Sequence, residues 1–444
     1  MSTGQDPAAE EAALIAWLEA ARAASGLSTR PVRLADCPDW RLDRGRLVHR
    51  TGRFFLVVGL ADPDGTLGLQ GGVQPMIDQP ELGWLGFLVR RGRDDIEWLL
   101  QAKTEPGNMR GTEFAPSLQA TRSNYMRLHG GRPTRFLELF RAGGAFLSDA
   151  PHSEQGTRFL WKFNRNSVLA LPPGSAPEPG TGENWRWASG RALRRLLGSS
   201  HLVNTDARSV IASAPWALLA GGGPLFRAGC LARSYRIAAP GPARLLNHAG
   251  PARWPRLRLV GLPELPGWRP GDSRLVTHAG TGVALHAVAA RDREVPRWCQ
   301  PFLVQDRPAE AVLLMRLQDG VAQVFLRILR EPGFGGRAEF GPSLHSAFET
   351  PPPLAELAGR RRGRDLAVLH QGDEGGRFMR AETVYRVRLV PRTPPRQRHP
   401  FGLWVDLATL ESLTRRAGTT TNELRTLASM ILSADFDAAC ADLG

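Results

Sequence analysis

The sequence predicts an α+β fold built twice, and three observations predict it. Residues 74–119 recur without insertion or deletion as residues 300–345, at a constant offset of 226. Gln74-Pro75 answers to Gln300-Pro301, Arg90 to Arg316, and Glu105-Pro106-Gly107 to Glu331-Pro332-Gly333. Inside each copy, two apolar segments of strand length flank a polar turn, which reads as a twisted antiparallel hairpin. Behind each copy runs a leucine-spaced stretch that reads as helix. A period of this kind marks an internal duplication. What both copies keep serves the scaffold, and what one copy alone keeps is a candidate for chemistry.

The elements follow in order. Asp6 and Pro7 are the cap and first position of a helix with Glu10 and Glu11 early, Leu14, Trp17 and Leu18 on one face, and Arg22 late. Residues 52–60 read as a buried strand, and residues 84–91 and 95–103 as the first hairpin. In the second copy, residues 311–317 and 321–329 flank Asp319-Gly320, a strong hairpin turn signal. The first module continues through residues 156–171 and ends in a helical stretch over 187–214. A related stretch over 404–432 closes the chain, with Arg425 standing where Arg208 stands. Gly221–Gly223 and Pro240–Pro242 mark a connector. The expected organisation is an N-terminal helix (1–30), a first module (31–215), a Gly/Pro-rich connector (216–250) and a second module (251–444).

With 444 residues, 42% of them hydrophobic, the chain can bury a full core. No apolar run approaches the roughly 20 residues that span a bilayer, so a membrane protein is not expected and the cytoplasm is. The formal charge of +14 is scattered rather than clustered, which argues against nucleic acid as a partner. It suits attraction of an anionic small molecule such as a nucleotide diphosphate. Cys37, Cys230, Cys299 and Cys440 show neither metal-ligand nor pairing patterns, so four reduced thiols and no metal site are expected.

Of the 57 basic residues only two are lysines, Lys103 and Lys162. Strand alternation places Gln101 and Lys103 on one face, where the second copy has Arg327 and Leu329. A lysine kept in a chain that otherwise uses arginine suggests that a compact, titratable ammonium is wanted. Asn108 becomes Phe334, and Gln119 becomes His345. Beyond Gln119 only the first copy continues with Thr121, Ser123, Asn124, Tyr125, Arg127 and His129. Ser123 reads as a helix cap and Gly130 as its stop. Glu105 is expected to be structural, because Glu331 survives in the copy that lost the rest. Arg127, Arg158 and Arg165 have the donor geometry for phosphate.

These residues resemble the NDP-hexose 2,3-dehydratase family. The likeness rests on Gln79-Pro80-Glu81-Leu82-Gly83, Leu100-Gln101-Ala102-Lys103, Glu105-Pro106-Gly107-Asn108 and Pro116-Ser117-Leu118-Gln119-Ala120-Thr121. It continues through Ser123-Asn124-Tyr125, Ser153-Glu154-Gln155-Gly156, Asn164-Arg165-Asn166, Leu202-Val203-Asn204-Thr205, Leu265-Pro266-Gly267-Trp268 and Trp298-Cys299-Gln300-Pro301. The resemblance implies two tandem Nudix-like modules, a homodimer, no redox cofactor, and action on an NDP-4-keto-6-deoxyhexose, usually the dTDP sugar. It also implies a downstream 3-ketoreductase. The Nudix glutamate signature is absent from both copies, so diphosphate hydrolysis is not expected. The second copy departs from the family at Arg327-Ile328-Leu329 and Ser343-Leu344-His345, and is read as a structural remnant.

In such a sugar the C4 carbonyl acidifies the C3 hydrogen, and the C2 hydroxyl lies β to the carbonyl as a leaving group. Elimination needs a base for the C3 proton, a cation or donor at the C4 oxygen, and an acid for the departing hydroxyl. The expected catalytic residues are Lys103, as cation or base, with Tyr125 or His129 handling the other proton. Gln101, Asn108, Gln119, Thr121, Ser123 and Asn124 are expected to hold sugar and nucleotide, with Arg127 or Arg165 near the diphosphate. The competing expectation is a non-catalytic sugar-nucleotide-binding homologue or partner protein.

Overall fold

The computed structural model describes residues 6–65, 72–121, 133–179, 183–237, 256–267, 274–276, 280–291, 295–335, 337–359, 363–391 and 398–443. The duplication is visible as two mixed sheets of matching topology. In the first, Ala145–Ser153, Phe163–Ala170, Leu82–Arg91, Ile96–Thr104 and Trp185–Ser189 lie side by side in that order. In the second the order is Arg364–Gly372, Glu382–Leu389, Ala309–Gln318, Val321–Arg330 and Gly402–Val405. On both paths one neighbouring pair is parallel, Phe163–Ala170 with Leu82–Arg91 and Glu382–Leu389 with Ala309–Gln318. The α+β expectation holds, and the match extends well past the ungapped repeat. Gly375 answers to Gly156 at an offset of 219, and Arg425 to Arg208 at 217.

One face of each sheet carries the main core. Leu85, Phe87, Leu100 and Phe114 from the first and Leu313, Leu326 and Phe340 from the second belong to a single buried cluster. The Pro7–Ala24 helix, capped by Asp6, seals the first sheet with buried Leu14 and Leu18. Its Glu10 accepts from Ser189 N at 2.8 Å, ahead of the Gly190–Leu196 helix. The second half repeats this device with other residues. The Gly229–Arg236 helix, inside the expected connector, brings Ser234 Oγ to Leu407 N at 2.8 Å, ahead of the Leu407–Thr414 helix.

The halves also exchange strands. Ser28–Pro31 pairs with Thr281–Ala289 of the second half, and Arg258–Val260 pairs with Leu56–Ala61 of the first. At the centre, the helices Thr205–Ala212 and Asn422–Ile431 are bridged by Arg425 Nε to Ser209 Oγ at 2.7 Å. Arg208 Nη1 reciprocates to Ser429 Oγ at 3.1 Å.

Two expectations are corrected. The stretches over 187–214 and 404–432 are not helical throughout. Each opens as a strand, because Trp185 and Trp187, like Gly402 and Trp404, pair with the hairpin. A side-chain cap then starts each helix: Ser189 and Asn204 in the first half, Asp406 and Thr421 in the second. The expectation of four reduced thiols also fails, since Cys37 and Cys299 form a disulfide with Cα atoms 5.8 Å apart. Strand exchange brings together two residues 262 positions apart, and no spacing pattern could reveal that. Cys230 and Cys440 remain buried free thiols. Asp319 and Gly320 both take positive φ, 52° and 73°, as the predicted hairpin turn requires.

Candidate active site

The Ile96–Thr104 strand alternates as its sequence demands. Leu100 and Ala102 enter the main core, while Leu99 joins a smaller cluster with Leu88, Leu118, Phe140 and Leu169 on the opposite face. Gln101 and Lys103 share that second face, both half-buried. Lys103 Nζ lies 2.5 Å from Glu105 Oε1. Glu113 stands directly opposite Lys103 across the sheet register and is fully buried.

The Glu105-Pro106-Gly107 turn docks onto the other half. Gly107 N donates to Gly375 O at 2.8 Å, and Arg380 N donates to Gly107 O at 2.9 Å. A Cβ on Gly107 would collide with the carbonyl of Phe378, which explains the glycine. The second copy makes the same junction in reverse. Gly333 N donates to Gly156 O at 2.7 Å, and Trp161 N to Gly333 O at 2.9 Å. Each conserved turn therefore inserts into a loop of the opposite half. This is why both copies keep Glu-Pro-Gly.

The first-copy junction carries the charge. Lys162, 2% exposed, places Nζ 2.8 Å from Glu374 Oε2 and 4.3 Å from the centre of the Phe159 ring. A Cβ on Gly376 would stand 3.4 Å from both Glu105 Oε2 and Glu374 Oε1, so the two carboxylates converge on one glycine. Both lysines of the chain thus meet in one sequence of charges, Lys103 with Glu105 and Glu374 with Lys162. Asn164 donates to Glu154 Oε1, and Asn422 Nδ2 donates to Glu154 Oε2 at 3.4 Å.

Burial and neighbouring charge sort these groups. Burial opposes ionisation of Glu374, but Lys162 and Arg377 outweigh it and hold its carboxyl below the usual range. Burial likewise opposes the Lys162 ammonium, and Glu374 and Glu154 outweigh it. Asp206, in the first turn of the Thr205–Ala212 helix, is pushed well above the usual range by burial and by Glu154 and Glu374. Lys162 and Lys103 oppose that rise only in part. Burial raises Glu113 to about 8, against the pull of Arg208 and Arg22. Asp206 Oδ1 and Glu113 Oε1 have no hydrogen-bond partner among the described residues. In both, burial favours the protonated form of the carboxyl. They are proton donors inside the same charged region.

The other predicted residues divide. Asn108 is buried and donates from Nδ2 to Gly111 O at 2.9 Å, which serves the turn. Gln119 lies between Leu118 and Ala120, both of the smaller cluster, so it points to the opposite, helix-covered face. There Oε1 accepts from Asn204 Nδ2 at 3.3 Å. Thr121 is half-buried just past the Leu118–Ala120 strand. Arg165 is bound by Asp149 through two contacts of 2.6 Å and lies 4.1 Å over the Trp84 ring. Arg158 is buried against Thr281 Oγ1 at 2.8 Å. Ser123, Asn124, Tyr125, Arg127 and His129 lie outside the described residues.

Sequence reasoning passed over Lys162, Asp206, Glu154 and Glu374. The rarity of lysine that singled out Lys103 applies equally to Lys162. Glu374 had no such signal, because Lys162 and Glu105 come from the other half, and Asp206 had none because Glu154, Lys162 and Lys103 lie far from it in sequence.

The profile of the NDP-hexose 2,3-dehydratase family matches residues 11–214 and 244–431. A dTDP-4-dehydro-6-deoxy-alpha-D-glucopyranose 2,3-dehydratase of Amycolatopsis orientalis is 28% identical, over 94% of this chain and 89% of its own length. The enzyme of that name from Streptomyces violaceoruber is 32% identical over 84% of this chain and 86% of its own. That from Saccharopolyspora spinosa is 29% identical over 84% and 81%. With its repeat, its junction turns and most of its length accounted for by one profile, the chain belongs to the NDP-hexose 2,3-dehydratase family.

Proposed function

We propose that the first-copy site eliminates water across C2 and C3 of a dTDP-4-keto-6-deoxyhexose, giving the 3,4-diketo-2,6-dideoxy sugar. The observation that carries this reading is the convergence of the chain's only two lysines, with Glu105 and Glu374, at the first-copy turn alone. Removal of the C3 proton puts negative charge on the C4 oxygen, and the Lys103 ammonium is the group assigned to stabilise it. The C2–O bond then breaks as an acid protonates the leaving hydroxyl, and the enol product tautomerises. Electrons stay in the sugar throughout. Asp206 and Glu113, buried carboxyls whose protonated form burial favours, join Tyr125 and His129 as candidates for the proton-handling roles. Gln101, Asn108, Thr121, Ser123, Asn124, Arg127 and Arg165 remain the proposed substrate contacts, and Gln119, on the opposite face, is assigned to act through its partner Asn204.

The finer parts of the reading rest on the family resemblance. They are two tandem Nudix-like modules, each a mixed sheet with flanking helices, a cytoplasmic homodimer, and a 3-ketoreductase that consumes the product. No described helix is long and apolar enough to cross a membrane.

The test is incubation with dTDP-4-keto-6-deoxyglucose in deuterated water. A dehydratase yields the deuterium-labelled diketo sugar or its breakdown products. Unchanged substrate together with a raised melting temperature would instead identify a binding homologue.

A further inference from the structure

The two junctions are the same construction with different charge, and the difference isolates one pair. At the first, Glu374 and Lys162 are in contact at 2.8 Å, and Glu374 converges with Glu105 on Gly376. At the second, the residues in their places are Gln155 and Ala381. Gln155 donates from Nε2 to Asp373 Oδ1 at 2.9 Å, so a neutral side chain closes this junction. Gly333 still docks on Gly156 there, and Glu331 Oε2 still accepts from a backbone N–H, that of Gly156, at 2.7 Å. The fold therefore contains its own demonstration that this junction packs without a Lys–Glu pair. Burying such a pair carries a desolvation cost that its mutual attraction only partly repays. Scaffolding does not account for it at the first junction.

The geometry points to a positioning role: we propose that Glu374, contributed by the second half and held by Lys162, fixes the Glu105–Lys103 pair of the first-half active site. Glu105 turns Oε1 to Lys103 and Oε2 to Gly376, where Glu374 Oε1 also lies. The Glu374 carboxylate faces that of Glu105 across Gly376, and like charges that converge must each be held by a cation. Lys162 holds Glu374, which leaves Lys103 as the partner of Glu105 and keeps its Nζ at 2.5 Å. If Glu374 lost its charge, Glu105 would be free to swing toward Gly376, and Lys103 would follow it out of line. The active site is in this sense a product of both copies. The inference rests on the reading of Lys103 as the group acting at the C4 oxygen.

The experiment installs the second copy's residues at the first junction. In the double variant Lys162→Ala/Glu374→Gln, the amide introduced at position 374 can donate to Glu154 as Gln155 donates to Asp373. The expected protein is folded, with a Tm within a few degrees of the parent. Its kcat should fall at least tenfold and its KM should change less than threefold. A folded double variant with parental kcat overturns the proposal. Should the double variant fail to fold, Glu374→Asp, which keeps the charge and draws it back by one methylene, decides the matter. A kcat reduced threefold or more supports positioning, and parental kcat refutes it. Lys103→Ala is measured in parallel. If that variant is active, the reading of Lys103 is what fails, whatever the pair does.

Discussion

Glu105 and Glu331 occupy the same turn in the same repeat, yet one is part of an ion pair and the other is a buried acid. Lys103 stands beside Glu105, whereas Leu329 occupies that place in the second copy and packs against Phe348. Glu331 is pushed well above the usual range by burial and by Glu423 and Glu339, against the weaker pull of the Gly156 N–H and Arg425. Its Oε1 has no partner among the described residues. The turn itself asks only for a carboxyl that can accept from the backbone of the facing loop. A lysine stands beside that carboxyl in the first copy, and a leucine takes its place in the second. Duplication thus separates what holds the halves together from what gives one junction its charge.

The largest effect should come from breaking that distinction at Lys103. Loss of a single donor at a developing oxyanion raises the barrier by about 3 kcal/mol, so Lys103→Ala should turn over roughly a hundredfold more slowly. Arg327, the counterpart of Gln101, donates from Nη2 to Glu349 O at 2.7 Å. Arg327→Ala should leave kcat within about twofold of the parent. Steady-state kinetics on the two folded variants compares the copies directly, and equal losses would contradict the assignment of the site to the first.

The scaffold should fail more evenly. Arg425 reaches Ser209 Oγ at 2.7 Å and the carbonyls of Thr420 and Ser153. Arg208 reaches Gln371 Oε1 at 3.0 Å, Leu197 O at 3.0 Å and Ser429 Oγ at 3.1 Å. Both are fully buried. Hydrogen bonds to a charged group contribute about 1.5–3 kcal/mol each, and truncation strands their acceptors. Arg208→Met and Arg425→Met should each lower stability by roughly 3 kcal/mol in urea unfolding. If one alone were costly, the two halves would not share the load at their common helix pair.

How far the sequence could be read follows the same division. The hairpins, the docking helix and the conserved turns were legible because each depends on neighbours a few residues away or on the ungapped repeat. Lys103 was legible because it lies inside that repeat, opposite a leucine. Lys162 lies where the offset has dropped to 219, so its counterpart Ala381 could not be aligned by eye. Cys37 with Cys299, and Glu105 with Glu374, meet only because the halves exchange strands and loops. The alternation of Trp185 and Trp187 did signal a strand, but the leucines that follow drew the reading toward helix. Gln119 was expected with Gln101 and Lys103 from its polarity, and strand parity sends it to the other face.

Glu113 and its counterpart Glu339 offer a comparison in pH. Burial raises Glu113 to about 8 and Glu339 to about 7 from an ordinary value of 4.5. Between 4.5 and these values the folded protein holds a proton that the unfolded chain has released. Stability therefore falls as pH rises through that window and levels off above it. Glu113→Gln should flatten the decline up to pH 8, and Glu339→Gln only up to pH 7. Urea midpoints at pH 5, 7 and 8 report the difference. A variant whose slope matched the parent would show that its carboxyl is not the one titrating.

The smallest effect tests why these two glutamates differ at all. Glu339 Oε2 accepts from Ser153 Oγ at 2.7 Å, and Ser153 is replaced in the other copy by Gly372. A hydroxyl that donates to the carboxylate favours the charged form, and Ser153 is the largest of the groups that oppose the effect of burial on Glu339. A Cβ on Gly372 would stand 3.4 Å from Met109 Cγ and 3.8 Å from Glu113 Oε1, within ordinary contact, and its φ is not in the left-handed region. Gly372→Ser should therefore fit without strain and give the unpaired Glu113 Oε1 a donor. The gain should be about 1 kcal/mol at pH 8, where Glu113 is ionising, and less at pH 5, where it is protonated. A gain equal at both pH values would trace to the loss of a strand glycine rather than to a new bond at Glu113.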